Sequence, residues 1–199
     1  SEDIMWVIEK ANNNPAIRAI LIEVDSGGGS PVAGSEISDA IQKSQKPVVA
    51  FIRSTGASSA YWSISSADKI FASKNSNVGG IGITSSYLNK VNKNKKDGYT
   101  YEQISSGKFK DSGSPDKVLT DEERALIMRD NKIVYENFIQ AVAQNRNIPI
   151  EKVRQLADGA TVLGEKAKDL GLIDDIGNFY DAMNYVGGLI GEEPQICAI

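Results

Sequence analysis

The sequence predicts an α/β fold of βαβ units around a largely parallel sheet, with a long helix and a helical C-terminal region. Two observations carry that expectation. Short runs of β-branched and aliphatic residues, IRAILIEV (17–24), PVVAFIR (47–53) and DKIFASK (68–74), alternate with stretches of helical length and apolar spacing. A further run of apolar positions, from Asp121 to Asn145, is far too long for a strand and opens with a T-x-x-E pattern at Thr120 and Glu123. With 199 residues the chain suits one domain, expected to span 1–199.

In order, the chain opens on a helix with Ser1 as cap, acids at 2 and 3, and Ile4, Met5, Val7, Ile8 and Ala11 on one face. So abrupt a start predicts a piece of a longer protein. Ile17 to Val24 reads as a strand buried on both faces. The loop DSGGGSP (25–31) leads into a helix whose Val32, Ile37, Ala40 and Ile41 form a stripe, and Pro47 opens the second strand. STG (54–56) reads as a turn, ASSAYWSISSA (57–67) as a helix, and DKIFASK as the third strand, which together make a second βαβ unit. VGGIGIT is extended and interrupted by glycine, and YLNKVNKNKKDG (87–98) is a lysine-rich solvated face. The long helix follows with Ala125, Leu126, Met128, Ile133, Val134, Phe138, Ile139 and Val142 as its apolar positions. Helices at 150–157 and 164–170 and the amphipathic NFYDAMNYVGGLIG complete the chain.

Composition removes much chemistry. There is no histidine and one cysteine, so a Ser-His-Asp triad, a Cys-His pair, a histidine-ligated zinc, a thiolate cage and an internal disulfide are all excluded. A formal net charge of −4 argues against nucleic acid as a partner. No apolar stretch reaches the ~20 residues of a spanning helix, and the N-terminus is unlike a signal peptide, so this chain by itself is expected to be soluble.

Two loops could carry chemistry. Gly27-Gly28-Gly29 lies at the carboxyl end of a strand and before a helix, where open α/β sheets bind ligands. The loop is a tight turn, or it aims backbone N–H groups at a bound group. Phosphate cradling by GxxxxGK[ST] or GxGxxG is ruled out by the sequence, which leaves an oxyanion hole as the catalytic use. In GASSAYW, Ser58 starts a helix, where a serine is a cap or a nucleophile set beside amide donors. A serine nucleophile without histidine needs another base, and a lysine deprotonated by burial or by a nearby cation can serve. Lys108 and Lys110 both lie in GKFKDSGSP, a punctuated loop ahead of the long helix.

Taken together, DSGGG, GASSAYW with AD-K-I-A downstream, VGGIGI, and SGKFKD-GSP-LT-EE, in this order and spacing, resemble the signal peptide peptidase A family of serine proteases. That family is related in fold to the Clp protease proteolytic subunit and the crotonases. The resemblance runs from about Ile17 to Gly177. It implies a ClpP/crotonase-like fold of repeated β-β-α and βαβ units, and a Ser-Lys dyad in which Ser58 is the nucleophile and Lys110 the general base. It also implies oxyanion donors from the backbone amides of Gly28 or Gly29 and of Ser59, with no metal and no cofactor. Peptide substrates follow, namely cleaved signal peptides or similar short, unfolded, apolar segments. So does a homo-oligomer with the dyad near a subunit interface, in a family associated with the membrane on its extracytoplasmic side. Here Gly27 stands where the family has proline, Ser59 and Ala60 where it has two glycines, and Gly80 where it has serine or a similar small residue. The chain is expected to lack the family's first strand and membrane anchor. A phage-capsid-type processing protease and an inactive binding member are the alternatives. A crotonase-type acyl-CoA enzyme would explain neither Ser58 nor Lys110. Val78 to Ile83 is an edge for an extended substrate or a structural turn.

Overall fold

The computed structural model describes residues 1–197. Helices α1 (Glu2–Asn13) and α2 (Pro31–Gln42) flank strand β1 (Ile20–Ser26), and β2 (Val48–Ala57) runs into the short helix α3 (Ser59–Ile64). Strands β3 (Lys69–Ala72) and β4 (Asn77–Gly79) follow, then α4 (Val91–Lys96) and the long α5 (Asp121–Asn145). The remainder is α6 (Ile150–Leu156), β5 (Thr161–Leu163), α7 (Gly164–Leu170), β6 (Asp175–Ile176) and α8 (Phe179–Ile190). The chain divides into two compact units, one made of residues 1–82 and 136 onward, the other of Ile83–Tyr135.

The first unit holds the sheet, ordered β5-β4-β2-β3-β6 with β1 also paired to β2. All pairings are parallel except β4 with β5, so the expected βαβ logic holds through the core. β2 is the central strand: Val48 to Ile52 are buried on both faces, as a strand flanked by neighbours and covered by helices must be. On one face Val49, Phe51 and Phe71 pack against Ala182 and Val186 of α8. Helix α8 is fixed at its start by a capping box in which the Asn178 side chain accepts from the backbone of Tyr180 and Asp181 while the Asp181 carboxylate accepts from Asn178 N–H.

Several expectations are corrected here. Residues 54–56 are strand, not turn, because Thr55 to Ala57 pair with Asn77 to Gly79 and carry β2 on to the edge of α3. β1 pairs with β2 alone, so Leu21 and Ile22 are only half-buried and Glu23 is exposed, unlike a strand covered on both faces. Val32 of α2 stays exposed; Gly34, Ile37, Ser38 and Ile41 make the buried face. Helix α3 is shorter than the 57–67 stretch. β5 and β6, too short for any periodicity to show, were not foreseen.

In the second unit α4 and the first half of α5 are joined by irregular segments. Only Glu123 is buried in this unit. The apolar stripe expected along all of α5 therefore splits. Phe138, Ile139 and Val142 are buried in the first unit, while Met128 and Ile133 are 60% and 55% exposed. The capping box expected at Thr120 is present: Glu123 N–H donates to Thr120 Oγ1 (3.2 Å) and Thr120 N–H to Glu123 Oε2 (2.9 Å).

Candidate active site

β2 and α3 are joined without a loop, and Ser58 takes the whole change of direction. Its backbone has φ 54° and ψ −132°, a conformation that costs a residue with a Cβ on the order of 1–3 kcal/mol. Neighbours on every side hold it there. Ser58 N–H donates to Gly79 O (2.7 Å), and Ser58 O accepts from Trp62 N–H (3.0 Å). Farther along α3, Tyr61 is fully buried with its hydroxyl donating to Leu172 O (2.8 Å), and Trp62 stacks on Phe138 with ring centroids 4.7 Å apart. Burial away from water holds the Tyr61 proton on far beyond the usual phenol range, so this hydroxyl is a fixed donor.

The glycine loop closes against the same turn. Gly28 has φ 104°, and a Cβ placed on it would lie 2.7 Å from Ser58 Cβ, 2.9 Å from Ala57 O and 3.0 Å from Ser59 N. Only a residue without a side chain fits that approach, so glycine is required at 28 both by torsion and by space. The entry to the loop is clamped from β1. The Asp25 carboxylate accepts from Ser54 Oγ and Thr55 N–H (both 3.1 Å), where the β1–β2 register shifts, and Ser26 Oγ accepts from Gly28 N–H (3.2 Å).

Among the described residues, the amides of Gly29 and Ser59 donate to no protein acceptor, and neither does the Ser58 hydroxyl have a hydrogen-bond partner. Gly28 N–H is engaged by Ser26. Ser59 itself is buried and helical, its side chain against Gly34 of α2, where a Cβ would come within 3.0 Å of Ser59 Cβ. Position 59 therefore needs no glycine torsion here. On the other side, Gly80 (φ 60°) lies against Ala57 and the Ser58 amide, so a serine there would be strained.

The segment that follows β4 has one flank closed. Gly80 N–H donates to Ala160 O (3.2 Å) and Gly159 N–H to Ile81 O (3.0 Å), continuing the β4–β5 pairing. β2 ends at Ala57, so beyond Gly79 the flank that faced it has no strand partner among the described residues. A cavity of about 110 Å³ lies behind this segment, lined by Val78, Gly79, Ile81, Leu156, Val162 and Leu172 among others.

The fold thus brings Gly28, Gly29, Ser58 and Ser59 together in the first unit. Lys110 belongs to the second, exposed in a turn where its N–H donates to Gly107 O (3.1 Å). Lys108, its rival in sequence, pairs with Glu122 at 2.7 Å. Among the described residues no group of three or more His, Cys, Asp or Glu is placed to hold a metal ion, and no helix is long and apolar enough to cross a membrane. Sequence reasoning missed Asp25, Ser26, Gly34 and Tyr61. The first two carried a signal, since Asp and Ser before glycines commonly bond to nearby backbone amides.

The chain is 32% identical over 89% of its length to a protein of Methanocaldococcus jannaschii named as a protease, and spans 58% of that protein. It is 32% identical over 92% of its length to a protein of Enterococcus faecium named for signal peptide peptidase SppA, spanning 54% of it. Capsid assembly protease C of Escherichia phage lambda is 25% identical over 88% of this chain, which covers 40% of it. The chain thus spans about half the length of the first two relatives. A mutant ClpP1 from Listeria monocytogenes is similar in fold alone, with a TM-score of 0.62, 16% identity and coverage of 91% of this chain and 85% of that one. Residues 40–189, which include the Ser58 turn, the Lys110 loop and all of α5, match peptidase family S49, and the chain belongs to that family.

Proposed function

We propose that this chain is the catalytic part of a serine endopeptidase in which Ser58 is the nucleophile and Lys110 the general base. The observation that carries the reading is the strained Ser58 turn, held against the Gly28 backbone with the Ser59 and Gly29 amides unused. Strain kept at one serine between a central strand and a helix needs a reason, and aiming a nucleophile is one.

In the proposed reaction Ser58 Oγ attacks the peptide carbonyl carbon and its proton passes to Lys110 Nζ. The carbonyl oxygen gains charge and is met by the N–H groups of Ser59 and Gly29, with Gly28 shaping the loop between them. When the C–N bond breaks, the Lys110 ammonium returns the proton to the leaving amine. Water, deprotonated by the now neutral Lys110, then attacks the acyl-serine; the ester C–O bond breaks, the Lys110 ammonium returns the proton to Ser58 Oγ, and the new carboxylic acid end leaves. The substrates are cleaved signal peptides or similar short, apolar, unfolded segments. Such a segment would pair, extended, with the open flank of Gly80 to Gly82. Because Ser58 and Lys110 lie in different units, the reaction requires them to meet within one chain or between two copies. Eight large apolar side chains exposed in the second unit, Ile104 at 90% foremost, support assembly of copies as the route.

The similarity to lambda capsid assembly protease C favours a second reading, in which the same dyad processes a structural protein rather than short peptides. One experiment tests the chemistry common to both. A fluorophosphonate probe should form an adduct on Ser58, located by mass spectrometry after digestion, and Lys110→Ala should abolish it along with peptide cleavage. Failure of the intact oligomer to label or to cleave would overturn the assignment and leave a binding role.

A further inference from the structure

The one buried side chain of the second unit is a carboxylate, and it is anchored to the loop that carries Lys110. Glu123 Oε1 accepts from Lys117 Nζ at 2.7 Å. The same ammonium lies 3.5 Å from Asp111 Oδ2, and that oxygen also accepts a short hydrogen bond from the Tyr101 hydroxyl. Lys117 and Asp111 are both mostly covered, with side chains 19% and 22% exposed. Every other side chain in 99–110 is more open, Lys110 included, and Lys110 makes no ion pair among the described residues. A chain of four side chains thus runs from the first turn of α5 to the residue next to the proposed base.

We propose that Asp111 is a positioning residue, whose carboxylate, held by Tyr101 and Lys117, fixes the Lys110 loop and is kept from pairing with the Lys110 ammonium. The inference rests on Lys110 being the base. Successive Cα atoms are ~3.8 Å apart, so a free Asp111 carboxylate could reach its neighbour's ammonium. A carboxylate at that range favours the charged lysine, the form that cannot accept the Ser58 proton. In this structure the carboxylate is spent elsewhere. The bond to Asp111 and burial raise the proton affinity of Tyr101, and the bond to Glu123 strengthens that of Lys117. Glu123 is held below the usual carboxylate range by Lys117 and by the Thr120 amide, so it stays charged and paired with Lys117 around neutral pH. Two further carboxylates of this unit have partners of their own, while Glu102 stands exposed in the same segment. Glu122 of α5 pairs with Lys108, and Asp116 accepts from Asn94 of α4 at 2.8 Å.

The test is a pH–rate profile of peptide cleavage by the assembled protein. Lys117→Gln removes the cation that holds the Asp111 carboxylate and leaves Tyr101 as its remaining partner. A carboxylate released toward Lys110 holds the Lys110 proton more tightly, so the ascending limb should move to higher pH by about half a unit to one unit, the low end of what an opposite charge at ~4–6 Å produces. Asp111→Asn added to Lys117→Gln should return the limb toward the wild-type position. Tyr101→Phe, which alters no charge and should leave the fold intact, should move it the same way as Lys117→Gln by less. A purely structural role would lower the rate at every pH and leave the limb in place, and that result in Tyr101→Phe and Lys117→Gln would overturn the proposal. Failure of the underlying reading looks different, because Lys110→Ala would then still cleave.

Discussion

Gly28 shows how much of the site rests on single atoms. Its torsion is one that side chains rarely adopt, and any Cβ there meets Ser58 Cβ at 2.7 Å. Gly28→Ala is expected to push the loop away from Ser58 and Ser59 and to lower kcat/KM by about 100-fold, the scale of losing one oxyanion donor. Circular dichroism and the melting temperature should change little, because the loop is exposed; wild-type kcat/KM in the variant would remove Gly28 from the site. Glycine at this position was legible in the sequence as part of DSGGG after a strand. Its contact with Ser58 was not, since all of α2 and β2 intervene and only the fold closes that distance. Ser59 teaches the converse. Against a family pattern of glycine it reads as a loss, yet its ordinary helical backbone and its contact with Gly34 make it a packed residue of α3.

At the level of elements, patterns that depend on neighbours in sequence were readable and those that depend on partners in space were not. The Thr120 capping box is local, and it sets the start of α5 where the T-x-x-E spacing says. Thr120→Ala should destabilise the chain by about 1 kcal/mol. The first turn of α5 should lose amide-exchange protection while Phe138 to Val142 keep theirs; uniform loss along the helix would show that the cap does more than hold its end. The extension of β2 through residues 54–56 was illegible, because Ser, Thr and Gly spell a turn until β4 offers them a ladder. β1 likewise has the composition of a covered strand, but composition cannot say which strand is left with one partner.

Over the whole molecule, the sequence conveyed a parallel α/β core and one helix long enough to be an arm, but not where the chain divides into two units. Periodicity reports which side of a helix is apolar, and α5 has apolar positions along its length although those that are buried, Phe138, Ile139 and Val142, all lie in its second half. If the exposed residues of the second unit meet other copies, Ile104→Asp combined with Met128→Asp should lower the mass seen by sedimentation velocity and reduce probe labelling of Ser58 together. A wild-type chain that is monomeric and fully labelled would show that assembly is dispensable. The solitary burial of Glu123 has a thermodynamic consequence as well. Heat capacity of unfolding comes chiefly from apolar surface, so a segment whose one buried side chain is a carboxylate adds little to it. The order of residues 83–135 is then governed by hydrogen bonds and charge, which salt and acidity adjust, while the order of the sheet is governed by hydrophobic burial, which they barely touch.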